Sequence, residues 1–176
     1  MTIDKTAIRN AATVIVLRDR FRAPSILMGQ RGAQAAFMPN KFVFPGGAVD
    51  PQDAHVPLHA PVGPLCHARL ADDSPADMQT RLTAAAIREL WEETGLILGQ
   101  AGPWPGDIPQ DWHSFAATGH VPSAGALQFV FRALTPPDVH GVLMRGSSLS
   151  MPRKFEMTRM ISRPPRTNSA ICNGCL

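Results

Sequence analysis

The sequence predicts an α/β domain in which short strands and one long helix are joined by turns rich in Pro and Gly. Three observations carry this. Short apolar runs rich in β-branched or aromatic residues recur, as at residues 11–17 (AATVIVL) and 127–134 (LQFVFRAL). A helical pattern covers residues 75–94 and stops at Gly95. A strand at residues 41–44 (KFVF) ends abruptly at Pro45-Gly46-Gly47, where glycines let the backbone approach another group closely.

A chain of 176 residues that is 44% hydrophobic suffices for one domain with a sizeable core. No apolar run approaches the ~20 residues of a membrane span, and Met1-Thr2-Ile3-Asp4-Lys5 is not followed by the apolar stretch of a secretory signal. Cys66, Cys172 and Cys175 form an odd set with no disulfide framework, which points to a reducing, cytoplasmic setting. The net charge of +3 is unevenly spread. Residues 1–137 hold 11 basic and 12 acidic side chains, whereas residues 138–176 hold 6 and 2. The basic balance belongs to the tail, so no folded basic face for nucleic acid is expected.

In chain order, residues 11–17 read as a buried strand and residues 18–25, with Asp19, Pro24 and several arginines, as a turn. Residues 26–31 (ILMGQR) read as a second strand, so that residues 11–31 form a hairpin. Residues 33–40 are loop, and residues 41–44 are the third strand. Residues 50–73 lack periodicity and read as a surface insertion. Ser74-Pro75-Ala76-Asp77 carries helix-start signals: Ser as N-cap, Pro in first position, then an acid. Leu82, Ala85, Ala86 and Leu90 make the apolar stripe of this helix, and Gly95 caps it. Residues 96–98 suit a short strand, and residues 99–111, with three Pro and three Gly, a loop. The strand at residues 127–134 is closed by Thr135-Pro136-Pro137.

The chemistry is concentrated in Arg88-Glu89-Leu90-Trp91-Glu92-Glu93-Thr94-Gly95-Leu96. Helix residues three and four apart share a face, so Glu89, Glu92 and Glu93 form an acidic cluster suited to a hard cation. Arg88 precedes Glu92 by four residues and can orient it, while Trp91 packs on the other side of the helix. Beside the Gly46-Gly47 turn, this helix brings carboxylates and backbone carbonyls to one mouth. Such a set predicts metal-assisted attack of water on a phosphate. Arg31, which ends a strand near the glycine turn, is a candidate phosphate contact or else a solvent-exposed arginine. His55, His59 and His67 share the insertion with Cys66 but match no zinc spacing, and read as exposed loop histidines. Cys172-Asn173-Gly174-Cys175 is a lone CxxC without a second pair.

Together these residues resemble the Nudix hydrolase family. Its box runs Gly, five residues, Glu, seven residues, Arg-Glu, an apolar residue, any residue, Glu-Glu, any residue, Gly, apolar. Gly47 corresponds to the box glycine, and Arg88, Glu89, Leu90, Glu92, Glu93, Gly95 and Leu96 match the second half without a gap. Asp53 stands where the box has Glu, and the 40 residues between Gly47 and Arg88 exceed the box spacing by 27. The coenzyme A diphosphatase-like branch has such an interruption, and Lys41 to Asp50 (KFVFPGGAVD) resembles it. The resemblance implies a Nudix fold, a mixed sheet packed by helices in an α/β/α sandwich, over residues 1–137, with residues 48–74 as the insertion. It implies Mg²⁺ or Mn²⁺ on Glu89, Glu92, Glu93 and a Gly47 carbonyl, with Arg88, Glu92 and Glu93 serving catalysis. The implied substrate is a nucleoside diphosphate linked to another group, with coenzyme A or acyl-CoA favoured over nucleotide sugars and dinucleotides. A non-catalytic binding module and a decayed gene product are the readings of another class.

Residues 138–176 do not continue this texture: they hold four of the eight Met and one aromatic, Phe155, without periodicity. The fold is therefore expected to be incomplete at the C-terminus, with a basic tail adding neither sheet nor closing helix. Frameshifted translation or disorder accounts for such a tail. Val142 to Ser148 can be encoded so that the third-base frame reads Phe-Asp-Ala-Arg-Phe-Phe, a segment resembling what this Nudix branch carries after the corresponding strand.

Overall fold

Strand β1 (Arg9–Ile15) organises the fold, with Ala12 and Val14 fully buried along it. The structure, a computed structural model, describes residues 9–34, 39–72, 74–134, 144–150 and 170–171. The expected hairpin forms: β2 (Leu17–Arg18) pairs antiparallel with β3 (Ser25–Ile26). The expected strand at residues 26–31 is broken, resuming as β4 (Gly29–Gln30), which pairs with β5 (Phe42–Val43).

The Gly-Gly turn does not merely end a strand. Gly46–Ala48 is itself a short strand, β6, antiparallel to β1, with Thr13 opposite Gly46 and Ala11 opposite Ala48. Gly46 lies so close to β1 that a methyl group there would strike the Ala12 carbonyl, and its φ of +153° is a glycine conformation.

The insertion is folded. A 3₁₀ turn, Pro51–His55, begins at Asp50, whose side chain accepts from Gln52 N (2.9 Å). Asp53 answers by accepting from Asp50 N (2.8 Å), which completes a capping box. Helix α1 (Pro64–Ala71) follows. Its carbonyl end is held by Arg132, which donates to Leu70 O (2.8 Å) and Asp72 O. Periodicity missed α1 because Leu70 is its one buried residue, leaving no apolar stripe.

Helix α2 (Met78–Thr94) starts three residues later than expected. The Ser74 hydroxyl points back to Asp72 O (3.3 Å) instead of capping. Met78 N closes a turn on Pro75 O, and Asp77, in the left-handed region at φ 62°, becomes the N-cap. Gly95 (φ 71°) caps the other end as predicted. Leu82, Ala85, Ala86, Ile87 and Leu90 are buried, and the helix packs on β1 and β6.

The expected strand at residues 96–98 begins later, as β7 (Gly99–Ala101), inside the segment read as loop. It pairs with β8 (His120–Pro122) after the short helix α3 (His113–Ala116). Trp112 and Phe115 fill the core here, their ring centroids 5.4 Å apart. Trp91 meets Phe115 edge-on and donates to Ser114 Oγ (3.1 Å), on the packing side that the sequence predicted.

Strand β9 (Gln128–Leu134) matches its prediction closely. The tail does add sheet, contrary to expectation. Strand β10 (Met144–Ser150) runs parallel to β1 and antiparallel to β9, giving the mixed order β6-β1-β10-β9. Backbone hydrogen bonding between two existing strands sets this placement, and side-chain periodicity cannot reveal it. Ala170–Ile171 forms a short strand, β11, on β4. Among the described residues no helix follows β9. Cys172 and Cys175 lie outside the described residues.

Candidate active site

The site lies where α2 crosses the Gly-Gly strand. Arg88 is 7% exposed, and all three of its guanidinium nitrogens are engaged. Nε and Nη2 each donate to the Asp53 carboxylate at 3.1 Å. Nη2 also donates to Ala48 O (2.9 Å), and Nη1 to Glu89 Oε1 (2.8 Å). Glu92 Oε2 stands 3.6 Å from Nη1. One cation therefore ties the insertion, the glycine strand and two helix carboxylates together. Burial alone would loosen the Arg88 proton. The hydrogen bond and charge of Asp53, with those of Glu89, outweigh it and hold the proton more tightly than usual.

Asp53 is fully buried. Sequence reading noted it only as a departure from Glu. Its position six residues after Gly47 was the available signal, and the capping box that aims it was not legible without the fold. The Ala48 carbonyl was missed as well.

The carboxylates meet the glycine strand residue by residue. A methyl group on Gly47 would run into the Glu89 carboxylate, so the absence of a side chain leaves Glu89 its place. One residue earlier, Gly46 N donates to Glu93 Oε2 (3.1 Å). The Glu93 carboxyl is pushed up to about 7. Crowding by protein atoms is the main cause, with the charges of Glu89 and Glu92 adding to it against the Gly46 amide and Arg31. Glu93 still belongs to the exposed rim, so water screens much of the energetic consequence.

Arg31 bears on the same corner: its charge acts on Glu93, and its Nε is buried without a hydrogen-bond partner. Its backbone N is held by Lys41 O (3.0 Å). His55, His59 and His67 are exposed, and Cys66 instead bonds the backbone of β9, accepting from Phe129 N at 3.2 Å.

Among the described residues, no three His, Cys, Asp or Glu side chains converge on one point closely enough to hold an ion. The donor chemistry nevertheless fits a hard dication, being all oxygen. The charges of Glu89 and Glu92 add to the effect of burial on the Glu93 carboxyl, and a cation beside them would offset that added part. Glu89, Glu92, Glu93 and the backbone carbonyl of Gly47 are the groups that would hold it.

No family model matches the chain. A Caenorhabditis elegans relative named as a nudix hydrolase is 36% identical over 94 residues, which is 53% of this chain and 24% of the relative. The chain thus spans about a quarter of that protein's length. The crystal structure of a NUDIX hydrolase from Alicyclobacillus acidocaldarius matches with a TM-score of 0.62 at 26% identity, covering 83% of this chain and 70% of that one. The protein therefore has the Nudix fold, and the sequence match and the fold match both support the Nudix hydrolase family.

Proposed function

We propose that this chain hydrolyses a diphosphate linkage in a nucleoside diphosphate joined to another group, using Mg²⁺ or Mn²⁺ at Glu89, Glu92, Glu93 and the Gly47 carbonyl. The observation that carries this reading is the Arg88 clamp, which fixes Glu89 against Gly47 and draws Glu92 towards the same guanidinium. A bound dication supplies charge neutralisation of the diphosphate and a lowered pKa for water. The protein supplies positioning, the larger part of phosphoryl chemistry. Arg88 has no nitrogen left for substrate, so it acts by holding carboxylates. Glu92 and Glu93 are the carboxylates on which turnover depends. Arg31, with its unpartnered Nε, offers a donor to a substrate phosphate.

Coenzyme A or an acyl-CoA is the favoured substrate. Support comes from the sequence of residues 41–50 and from an insertion that is folded and joined to the site through Asp53. Nucleotide sugars and dinucleotides are the alternative within the same chemistry, and a non-catalytic Nudix-like binding module is the alternative of another class. The cytoplasm is the proposed setting. Among the described residues no helix is long and apolar enough to cross a membrane.

The test is Mg²⁺-dependent release of a phosphopantetheine product from CoA, run beside a panel of other nucleoside diphosphate derivatives. Glu93→Gln is expected to reduce turnover by at least about a hundredfold while leaving the fold intact. Unchanged activity in that variant removes the metal assignment. Absence of turnover across the panel favours the binding module.

A further inference from the structure

Strand β9 sends apolar side chains to both faces of the sheet. Phe129 packs against the core that Leu70 of α1 and Leu90 of α2 share with Val14 of β1. Arg132 reaches the same side, because its guanidinium donates to Leu70 O at the end of α1. In a regular strand one residue of the opposite face separates two of the same face. Here two residues, Val130 and Phe131, stand between Phe129 and Arg132. The ladder gives the reason: Phe131 lies opposite Ser148 and Phe129 opposite Leu149, so Val130 is an extra residue, a β-bulge. The bulge puts both Val130 and Phe131 on the outer face, where they are 47% and 48% exposed.

The register extends this face across the sheet. Phe131, Ser148 and Thr13 stand side by side, as do Gln128, Ser150 and Ile15. Thr13 and Ile15 are half-buried, and none of these six positions holds a charge. Val130 and Phe131 thus form an apolar ridge on the terminal strand of the sheet, bordering a row of β10 positions filled by serine. Strands β1 and β10 are parallel, an arrangement normally covered on both faces. Helices α1 and α2 pack on the face of Phe129 and Val14. The outer face has the composition of a contact surface and its two largest apolar side chains are half in water.

We propose that this outer face pairs with the same face of a second copy of the chain. A two-fold axis lays the Val130–Phe131 ridge of each copy over the serine row of the other, so one patch serves as both ridge and seat. The absence of charge at these positions selects this occupant. Self-pairing brings no like charges together, whereas a charged partner would lose hydration here and gain no ion pair. The carboxylates stand on α2, against the opposite face, so the inference does not depend on the hydrolase reading.

The test is sedimentation velocity of the full chain across the micromolar range. A two-copy species that grows with concentration is expected, with a thermal midpoint that rises over the same range. Phe131→Glu is expected to weaken association at least about tenfold and to flatten that rise. Ile108→Glu, at an exposed apolar residue in the loop before α3, is expected to change neither. If Phe131→Glu does not fold, Val130→Lys carries the same comparison. A monomer at every concentration overturns the proposal, as does association equally strong in both β9 variants. Growth into large aggregates without a two-copy plateau overturns it too. A monomer whose midpoint falls in Phe131→Glu shows that residues of the same chain cover this face, and also rejects the second copy.

Discussion

Arg88 and Asp53 stand 35 residues apart in the chain and are joined by two hydrogen bonds of 3.1 Å, with the Asp53 side chain fully withdrawn from water. This pair ties the 3₁₀ turn that follows the glycine strand to helix α2. Removing one partner of such a buried pair strands the other charge. Asp53→Ala is therefore expected to cost about 3 kcal/mol of stability. Denaturant unfolding measures that cost, and Mn²⁺ titration of the folded variant is expected to show weaker binding. A variant as stable as wild type, with unchanged Mn²⁺ affinity, would show that the pair orients nothing.

The Glu93 carboxyl gives the metal-free protein a pH signature. Its folded value of about 7 exceeds the ordinary 4.5, so between those values the folded state binds the proton more tightly than the unfolded state. This group's contribution is most favourable below pH 4.5, declines as pH rises towards 7, and is flat above. In EDTA, thermal scans are expected to lose stability across that window, less so for Glu93→Gln. A divalent cation should raise the midpoint more at pH 8 than at pH 5. An equal rise at both values would count against the assignment.

The two glycines of β6 should fail differently. Gly46→Ala drives a methyl group into the Ala12 carbonyl at an unfavourable φ, with an expected loss of about 2 kcal/mol or more. Gly47→Ala presses on the Glu89 carboxylate, so its expected effect is a divalent-ion affinity lowered about tenfold or more. Calorimetry on both variants separates the two effects. Loss of fold in Gly47→Ala with normal metal binding in Gly46→Ala would reverse the assignment.

Strand β10 occupies an interior position of the sheet, between β1 and β9, yet its sequence is MRGSSLS. Interior strands covered by helices normally read as apolar runs. We propose that a frameshift produces this conflict, since the third-base frame across residues 142–148 can be encoded to read Phe-Asp-Ala-Arg-Phe-Phe. Sequencing the coding DNA around codons 130–145 is expected to show an open, apolar continuation in that frame. An early stop there sinks the idea and leaves this tail as the native sequence. If the continuation is present, a chain expressed in the restored frame should melt at a higher temperature than this one.

The sequence by itself determined what depends on near neighbours. Glu89, Glu92 and Glu93 share a helix because of spacing, Gly95 stops it because a left-handed cap suits glycine, and Pro45-Gly46-Gly47 marks a close approach for the same steric reason. Strands β1 and β9 were legible because their apolar runs are long enough to show. Tertiary structure alone decided what depends on distant partners. Asp53 looked like a flaw in a motif until the insertion folded it against Arg88, and α1 left no stripe because it buries only Leu70. Strand β10 gave no side-chain signal because its place depends on backbone hydrogen bonds to strands on either side. Local patterns therefore named the groups at the site, and long-range contacts decided which of them hold one another in place.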